Sequence, residues 1–248
     1  MVKNESNASD ESSARDEIRA LYDRWHDSAG QTYDAESDLH APWHEAALPY
    51  LKQSVPGQDV LEIGCGRGAM ARYLVELGAR TVTASDFSPS AVRQAREILA
   101  DTNATAAVED IERMSYSSAS FDTVVSFETI EHCPDPQRAV NELARVLRPR
   151  GTLILTTPNY LGLTGLFRIY KRLTGEPFSE IGQPINKLVM LPRTIRWVGH
   201  AGLTIDHWSS HGQYLPWPGG PIHMPALDRL GPLSRATGLH SLVVARKD

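Results

Sequence analysis

Apolar residues along this chain alternate between two spacings: short unbroken runs, and a period of three to four residues. The runs read as strands buried on both faces of a parallel sheet, and the period reads as helices that cover it. Val60 to Ile63 is the first run, followed by a loop with glycine at 64, 66 and 68. A helix is predicted over Ala69 to Leu77, because Met70, Tyr73, Leu74 and Leu77 share one face and Gly78 is placed to end it. A second strand, Thr81 to Ser85, ends at Asp86; Ser88 then caps a helix with Pro89 at its first position and Ala91, Val92, Ala95, Ile98 and Leu99 inward. Thr105 to Val108 is the third strand and leads to Glu109 and Asp110. Asp122 to Phe127 is the fourth, followed by Glu128-Thr129-Ile130-Glu131-His132. Asp135 caps a helix opened by Pro136, whose Ala139, Val140, Leu143, Val146 and Leu147 face the core, and Arg150-Gly151 turns the chain into a fifth strand, Thr152 to Thr156. Repeated strand–helix units with short links imply an α/β fold with a parallel sheet.

Ligands of such sheets bind beyond the carboxyl ends of the strands, and the notable polar residues all fall there. Glycines at 64, 66 and 68 permit positive φ and close approach of backbone to a ligand, and the next helix turns its positive end toward it. Glycine spacing alone does not select a dinucleotide, since Ala69 stands where the third glycine of that fingerprint belongs. Glu62 argues against a pyrophosphate, whose charge it would repel, and for a cofactor that is cationic near the loop. Asp86 follows the loop at about the 20-residue spacing of an acid that bonds ribose hydroxyls. Phe87 offers adenine an apolar face, Asp110 an acceptor for its amino group, and Ile111 an N–H for a ring nitrogen. Each acid taken alone also fits a turn or a cap.

Composition narrows the classes. The 248 residues are 41% hydrophobic, enough for one doubly wound core with decorations. A net charge of -5 without a long basic tract argues against a nucleic-acid partner. No apolar run approaches the roughly 20 residues that span a bilayer. Met1 to Ser13 is polar, expected to be disordered, and lacks a secretory core. Cys65 and Cys133 suggest free thiols in a reducing cytoplasm, and no His, Cys and carboxylate spacing suits a metal.

Three stretches between Asp59 and Asn159 carry a resemblance. Glu62-Ile63-Gly64-Cys65-Gly66-Arg67-Gly68 resembles motif I of the class I S-adenosylmethionine-dependent methyltransferases. Phe121 to Ser126 with Glu131-His132-Cys133-Pro134-Asp135-Pro136, and Leu147 to Thr152, are similar to the ubiquinone and menaquinone biosynthesis group. The resemblance implies a Rossmann-like sheet of seven strands in the order 3-2-1-4-5-7-6, strand 7 antiparallel, with Leu203 to Trp208 and Ser241 to Ala245 as the last two. It implies S-adenosylmethionine held by Glu62, Gly64, Cys65, Gly66, Gly68, Asp86, Phe87, Ser88, Asp110, Ile111, Ser126, Phe127 and His132. Tyr33-Asp34 resembles a Tyr-Asp pair of the covering helices, so Tyr33 is a further contact. Residues 1–13 are then a tail and 14–248 one domain: a helical cap (14–55), the cofactor core (56–159), a lid insert (160–190) and the C-terminal strands with a substrate loop (191–248). A nicotinamide-dependent reductase is the rival enzyme, but no tyrosine heads the Tyr-x-x-x-Lys pair of the short-chain dehydrogenases.

The expected reaction is methylation of a small apolar or aromatic metabolite, at oxygen. A hydroxyl acceptor requires a base, for which His132 is the leading candidate; the alternative is that it orients the loop or covers the methionyl part. Glu128, Glu131 and His211 are further catalytic candidates, with His223 in reserve. In the insert, Leu163, Leu166, Phe167, Tyr170 and Leu173 form a stripe near Arg168, Lys171 and Arg172, which fits a lid, a membrane-surface helix or a docked helix. The stretch Ser209 to Thr237 fits a substrate cap or a homodimer contact. A cofactor-binding protein without methyl transfer stays open as a second reading.

Overall fold

The computed structural model describes residues 3–29, 41–175, 183–215, 222–224, 226–227, 231 and 234–248. Two helices, α1 (Lys3–Ala29) and α2 (Pro42–Ser54), precede the sheet. Then come β1 (Asp59–Ile63), α3 (Ala69–Glu76), β2 (Thr81–Asp86), α4 (Pro89–Ile98), β3 (Thr105–Val108) and β4 (Phe121–Phe127). A 3-10 turn, Ile130–His132, leads to α5 (Pro136–Val146), β5 (Leu147–Pro158), α6 (Leu163–Leu173) and α7 (Leu191–His200). The chain closes with β6 (Leu203–His211), a hairpin of β7 (Tyr214–Leu215) and β8 (Ile222–His223), α8 (Ser234–Thr237) and β9 (His240–Lys247).

Seven strands form one sheet in the order β3-β2-β1-β4-β5-β9-β6. The first five pair in parallel, and β9 runs antiparallel to both β5 and β6. As β9 is the last in chain order of the seven strands in this sheet, the expected order and its reversed last strand are both present. Leu61, Ile63, Val124, Leu153 and Leu155 fill one face beneath α5 and α7, while Val60, Val82, Ala84, Val125 and Ile154 fill the other beneath α2 and α3. Burial on both faces is why these strands read as unbroken apolar runs rather than alternations. The two caps expected from sequence form: Ser88 Oγ accepts from Ala91 N–H at 3.2 Å, and Asp135 Oδ1 from Arg138 N–H at 3.1 Å. Such caps are each worth about 1 kcal/mol.

Two expectations change. Residues 3–13 are not a disordered tail but the first turns of α1. The reason is local: Lys3–Ala29 holds neither proline nor glycine. Strand β5 starts at Leu147 rather than Thr152, since its pairing with β4 slips between Phe121 and Thr123 and Arg150 takes a φ of 67° inside the strand. That slip is a bulge, which absorbs the expected Arg150-Gly151 turn. Among the described residues, no helix is long and apolar enough to cross a membrane.

Candidate functional site

A cavity of about 250 Å³ opens at the carboxyl ends of β1, β2, β3 and β4, with α1 lying over it. Glu62 and Ile63 enter it from β1, and Gly64, Cys65, Gly66 and Arg67 from the loop after it. Three glycines of that loop stand at positive φ for different reasons. A Cβ on Gly64 would overlap the side chain of Thr129, and one on Gly68 would press on Ala95 at 3.1 Å. Gly66, at φ 50°, has no atom within 4 Å of where a Cβ would stand. The first two glycines therefore serve packing, whereas Gly66 leaves room for a ligand against its backbone.

Asp86 ends β2 with both carboxylate oxygens engaged: Oδ2 accepts from Gly66 N–H and Oδ1 from Ser88 N–H, each at 2.9 Å. It thereby sets the loop conformation. His26 Nε2, from α1, stands 4.0 Å from Oδ1. Burial pushes the Asp86 carboxyl up, against the pull of His26 and of its backbone donors, and pushes His26 down. Asp110 pairs with Arg15 of α1, whose other Nη donates to Glu112 at 2.9 Å. Phe87 meets Tyr22 edge-on at a centroid distance of 6.4 Å and lies under the Arg19 guanidinium at 4.7 Å. Ile111 and Phe127 complete the apolar wall.

His132 sits on the 3-10 turn at the far side of the cavity. Its Nδ1 is 2.6 Å from the Ile185 carbonyl, which can only accept, so Nδ1 carries the proton and Nε2 is left with its lone pair. Burial holds the imidazole pKa below the usual histidine value. Glu131 Oε1 lies 3.5 Å from Nε2, but Glu131 is enclosed at 1% exposure and does not line the cavity. Glu128 does line it, at φ 46°, a left-handed conformation that costs a non-glycine residue about 1–3 kcal/mol. Its Oε2 accepts from His240 Nδ1 at 3.0 Å.

Several residues expected at the site stand elsewhere. His211 lies in a separate hollow on the far edge of the sheet, where its Nε2 meets Ser209 Oγ at 2.8 Å. The strand continues three residues past Trp208 and carries it there. Ser88 is committed to capping α4 and to Asp23, and Gly68 to packing; Ser126 is fully buried, and none of the three lines the cavity. Tyr33 lies outside the described residues. Conversely, Arg15, His26 and His44 line the cavity without having been singled out for it. Arg15, Ile18, Tyr22, Trp25 and His26 follow helical spacing on α1, a signal visible once the helix is extended beyond its apolar residues. Cys65 and Cys133 are both free thiols whose pKa burial raises.

Residues 61–155 match a family model described as a methyltransferase domain. This segment is similar to that family. A ubiquinone biosynthesis O-methyltransferase of Xanthomonas campestris pv. campestris is 35% identical over 149 residues, 58% of this chain and 60% of the relative. The chain thus spans less than two thirds of that relative's length. In fold it is similar to an S-adenosylmethionine-dependent methyltransferase from Mesorhizobium loti (TM-score 0.63, 19% identity, 84% of this chain and 100% of the other). It is similar also to one from Methanosarcina mazei (TM-score 0.59, 20% identity, 80% and 97%).

The fold and the likeness to methyltransferase domains imply S-adenosylmethionine as the cofactor, and the cavity fits it. The carboxylates of Glu62, Asp86 and Asp110 suit a cationic, hydroxyl- and amine-bearing molecule, and the open face of Gly66 admits one against the backbone. Glu62 and Gly66 would hold the methionyl end, Asp86 the ribose, and Phe87, Asp110 and Ile111 the adenine.

Proposed function

We propose that this protein transfers a methyl group from S-adenosylmethionine to a hydroxyl oxygen of a small apolar or aromatic acceptor. The cofactor, when bound, supplies a methyl already activated on a sulfonium. The protein then has to place the acceptor in line at about 3 Å, exclude water and take one proton. One observation supports oxygen above other acceptor atoms: the Ile185 carbonyl fixes His132 in the tautomer whose Nε2 is a base. Its lowered pKa keeps it neutral, hence able to accept, at neutral pH. Once Nε2 gains the hydroxyl proton, Glu131 at 3.5 Å stabilises the imidazolium. Phe127, Ile111 and Tyr22 make the walls apolar, which favours an aromatic acceptor. The name of the Xanthomonas relative supports the same reading, an O-methyltransferase.

The test is mass spectrometry for a gain of one methyl on a panel of phenolic and catecholic acceptors. His132→Gln should lower turnover by about 10²–10⁴-fold, the usual worth of a general base, while affinity for S-adenosylhomocysteine holds. The wild-type rate should fall as pH drops through the His132 pKa, which burial holds below the ordinary histidine value, and the variant should lose that acid limb. Equal losses in turnover and cofactor affinity would assign His132 to binding and overturn its role as base.

A further inference from the structure

We infer that the hollow on the edge strand β6 binds the phosphoryl group of a phosphate monoester. A bulge shapes it. Pairing of β6 with β9 slips between Ile205 and His207, so the alternation of faces shifts by one residue. Ile205 and Trp208 then pack on the core, while His207, Ser209 and His211 share the opposite face and line the hollow. Tyr50 of α2 lies against them, its ring 5.0 Å from that of His207. The residue at the slip, Asp206, gives its carboxylate to Arg246, with Nη donating to Oδ1 at 2.8 Å. Arg235 of α8 also lines the hollow, whose volume is about 470 Å³. No lining residue is shared with the cofactor cavity, so the assignment is independent of the reaction proposed above.

Chemistry selects the ligand. Arg235 is held by its Nε, which donates to the Trp208 carbonyl at 3.0 Å, and by the Trp208 ring, 4.9 Å from the guanidinium. Among the described residues no carboxylate pairs with it, whereas Arg15, Arg72, Arg80, Arg145, Arg148 and Arg246 each pair with an acid. Ser209 Oγ lies 3.1 Å from His207 Nε2 and 2.8 Å from His211 Nε2. A hydroxyl has one proton, so it donates to one imidazole and accepts from the other, and a single side chain orients both rings. Burial first, and then the neighbouring Arg235 and His211, push the His207 pKa down. Cationic and potentially cationic groups therefore crowd together, and among the described residues no acid lines the hollow. An anion bound there relieves the repulsion. A guanidinium fork and two imidazoles offer donors to three terminal oxygens, which a phosphoryl group has and a carboxylate lacks. The remaining volume, walled by the Tyr50 ring, leaves room for the organic part of an ester.

The test is to titrate the full chain with phenyl phosphate, inorganic phosphate or benzoate, following the ring resonances of His207 and His211 by NMR and the heat by calorimetry. Phenyl phosphate should shift both histidines in one saturable transition, with an affinity about tenfold above that of either other probe, as one further charge-assisted hydrogen bond or the ester's ring contact would give. Arg235→Gln with His207→Gln should weaken phenyl phosphate by about tenfold or more, since hydrogen bonds to a charged group are lost. The double variant should keep the circular dichroism spectrum and the affinity for S-adenosylhomocysteine, because neither residue lines the cofactor cavity. Phenyl phosphate that leaves both histidines unmoved, or that binds the double variant as tightly as the wild type, would overturn the assignment. Benzoate or inorganic phosphate binding as tightly as the ester would overturn it equally, because the hollow would then read charge alone.

Discussion

The floor of the site and its cover are built on different physics. The floor is the carboxyl rim of a sheet whose central strands are enclosed on both faces; Val60, Leu61, Val124, Val125, Leu153 and Leu155 have no exposed surface. Each such side chain contributes roughly 1.5–3 kcal/mol on burial. The cover, α1, is tied down by polar contacts: Arg15 to Asp110 and Glu112, Asp23 to Ser88 and Ser90, and Asp27 to Ser90 and Arg93. Partly exposed contacts of this type are individually worth about 1 kcal/mol and weaken with salt. The floor therefore keeps its geometry when nothing is bound, and the cover is the part a ligand can shift. Arg15 and His26 also stand beside the two carboxylates, Asp110 and Asp86, that the adenosyl group would use.

The largest way to break this contrast is Gly64→Ala. Position 64 stands at φ 82° and its new methyl would overlap Thr129. A loss of about 2–3 kcal/mol is expected from strain and overpacking together, read as a lowered midpoint in urea denaturation, with cofactor binding lost as the loop shifts. A smaller effect is expected from Arg15→Ala. It should leave global stability within about 1 kcal/mol but speed exchange of the α1 amides and tryptic cutting at Arg19 and Arg24 by several-fold. Raising salt in the wild type should reproduce that loosening while β1 and β4 stay protected. If α1 and the sheet instead exchange together at every salt concentration, floor and cover are one cooperative unit and the contrast fails.

Legibility in the sequence follows the same division. Strands enclosed on both faces announce themselves, and Thr105–Val108 and the start of α3 at Ala69 lie where the pattern places them. The acids at strand ends were legible as a set, since Glu62, Asp86 and Asp110 stand at the ends of successive strands and all line the cavity, although Asp86 and Asp110 also hold backbone N–H groups. The cover was legible only in part: a helical cap was expected over 14–55, but its inner face sets Arg15 and His26 among Ile18, Tyr22 and Trp25, and apolar periodicity does not mark a guanidinium or an imidazole as facing the site. For α6 the reverse holds. Apolar spacing shows that a face exists but not what covers it, and the docked side turned out to be Gly165 and Arg168. His211 misled because it sits in a loop-like sequence that the sheet extends into strand.

Calorimetric titration of the full chain with S-adenosylhomocysteine tests the central claim most directly. One saturable site is expected, with the dissociation constant rising about 10–100-fold in Asp86→Asn, in keeping with 1.5–3 kcal/mol for a hydrogen bond to a charged group. No heat with the adenosyl ligand, or an affinity indifferent to residue 86, would contradict it.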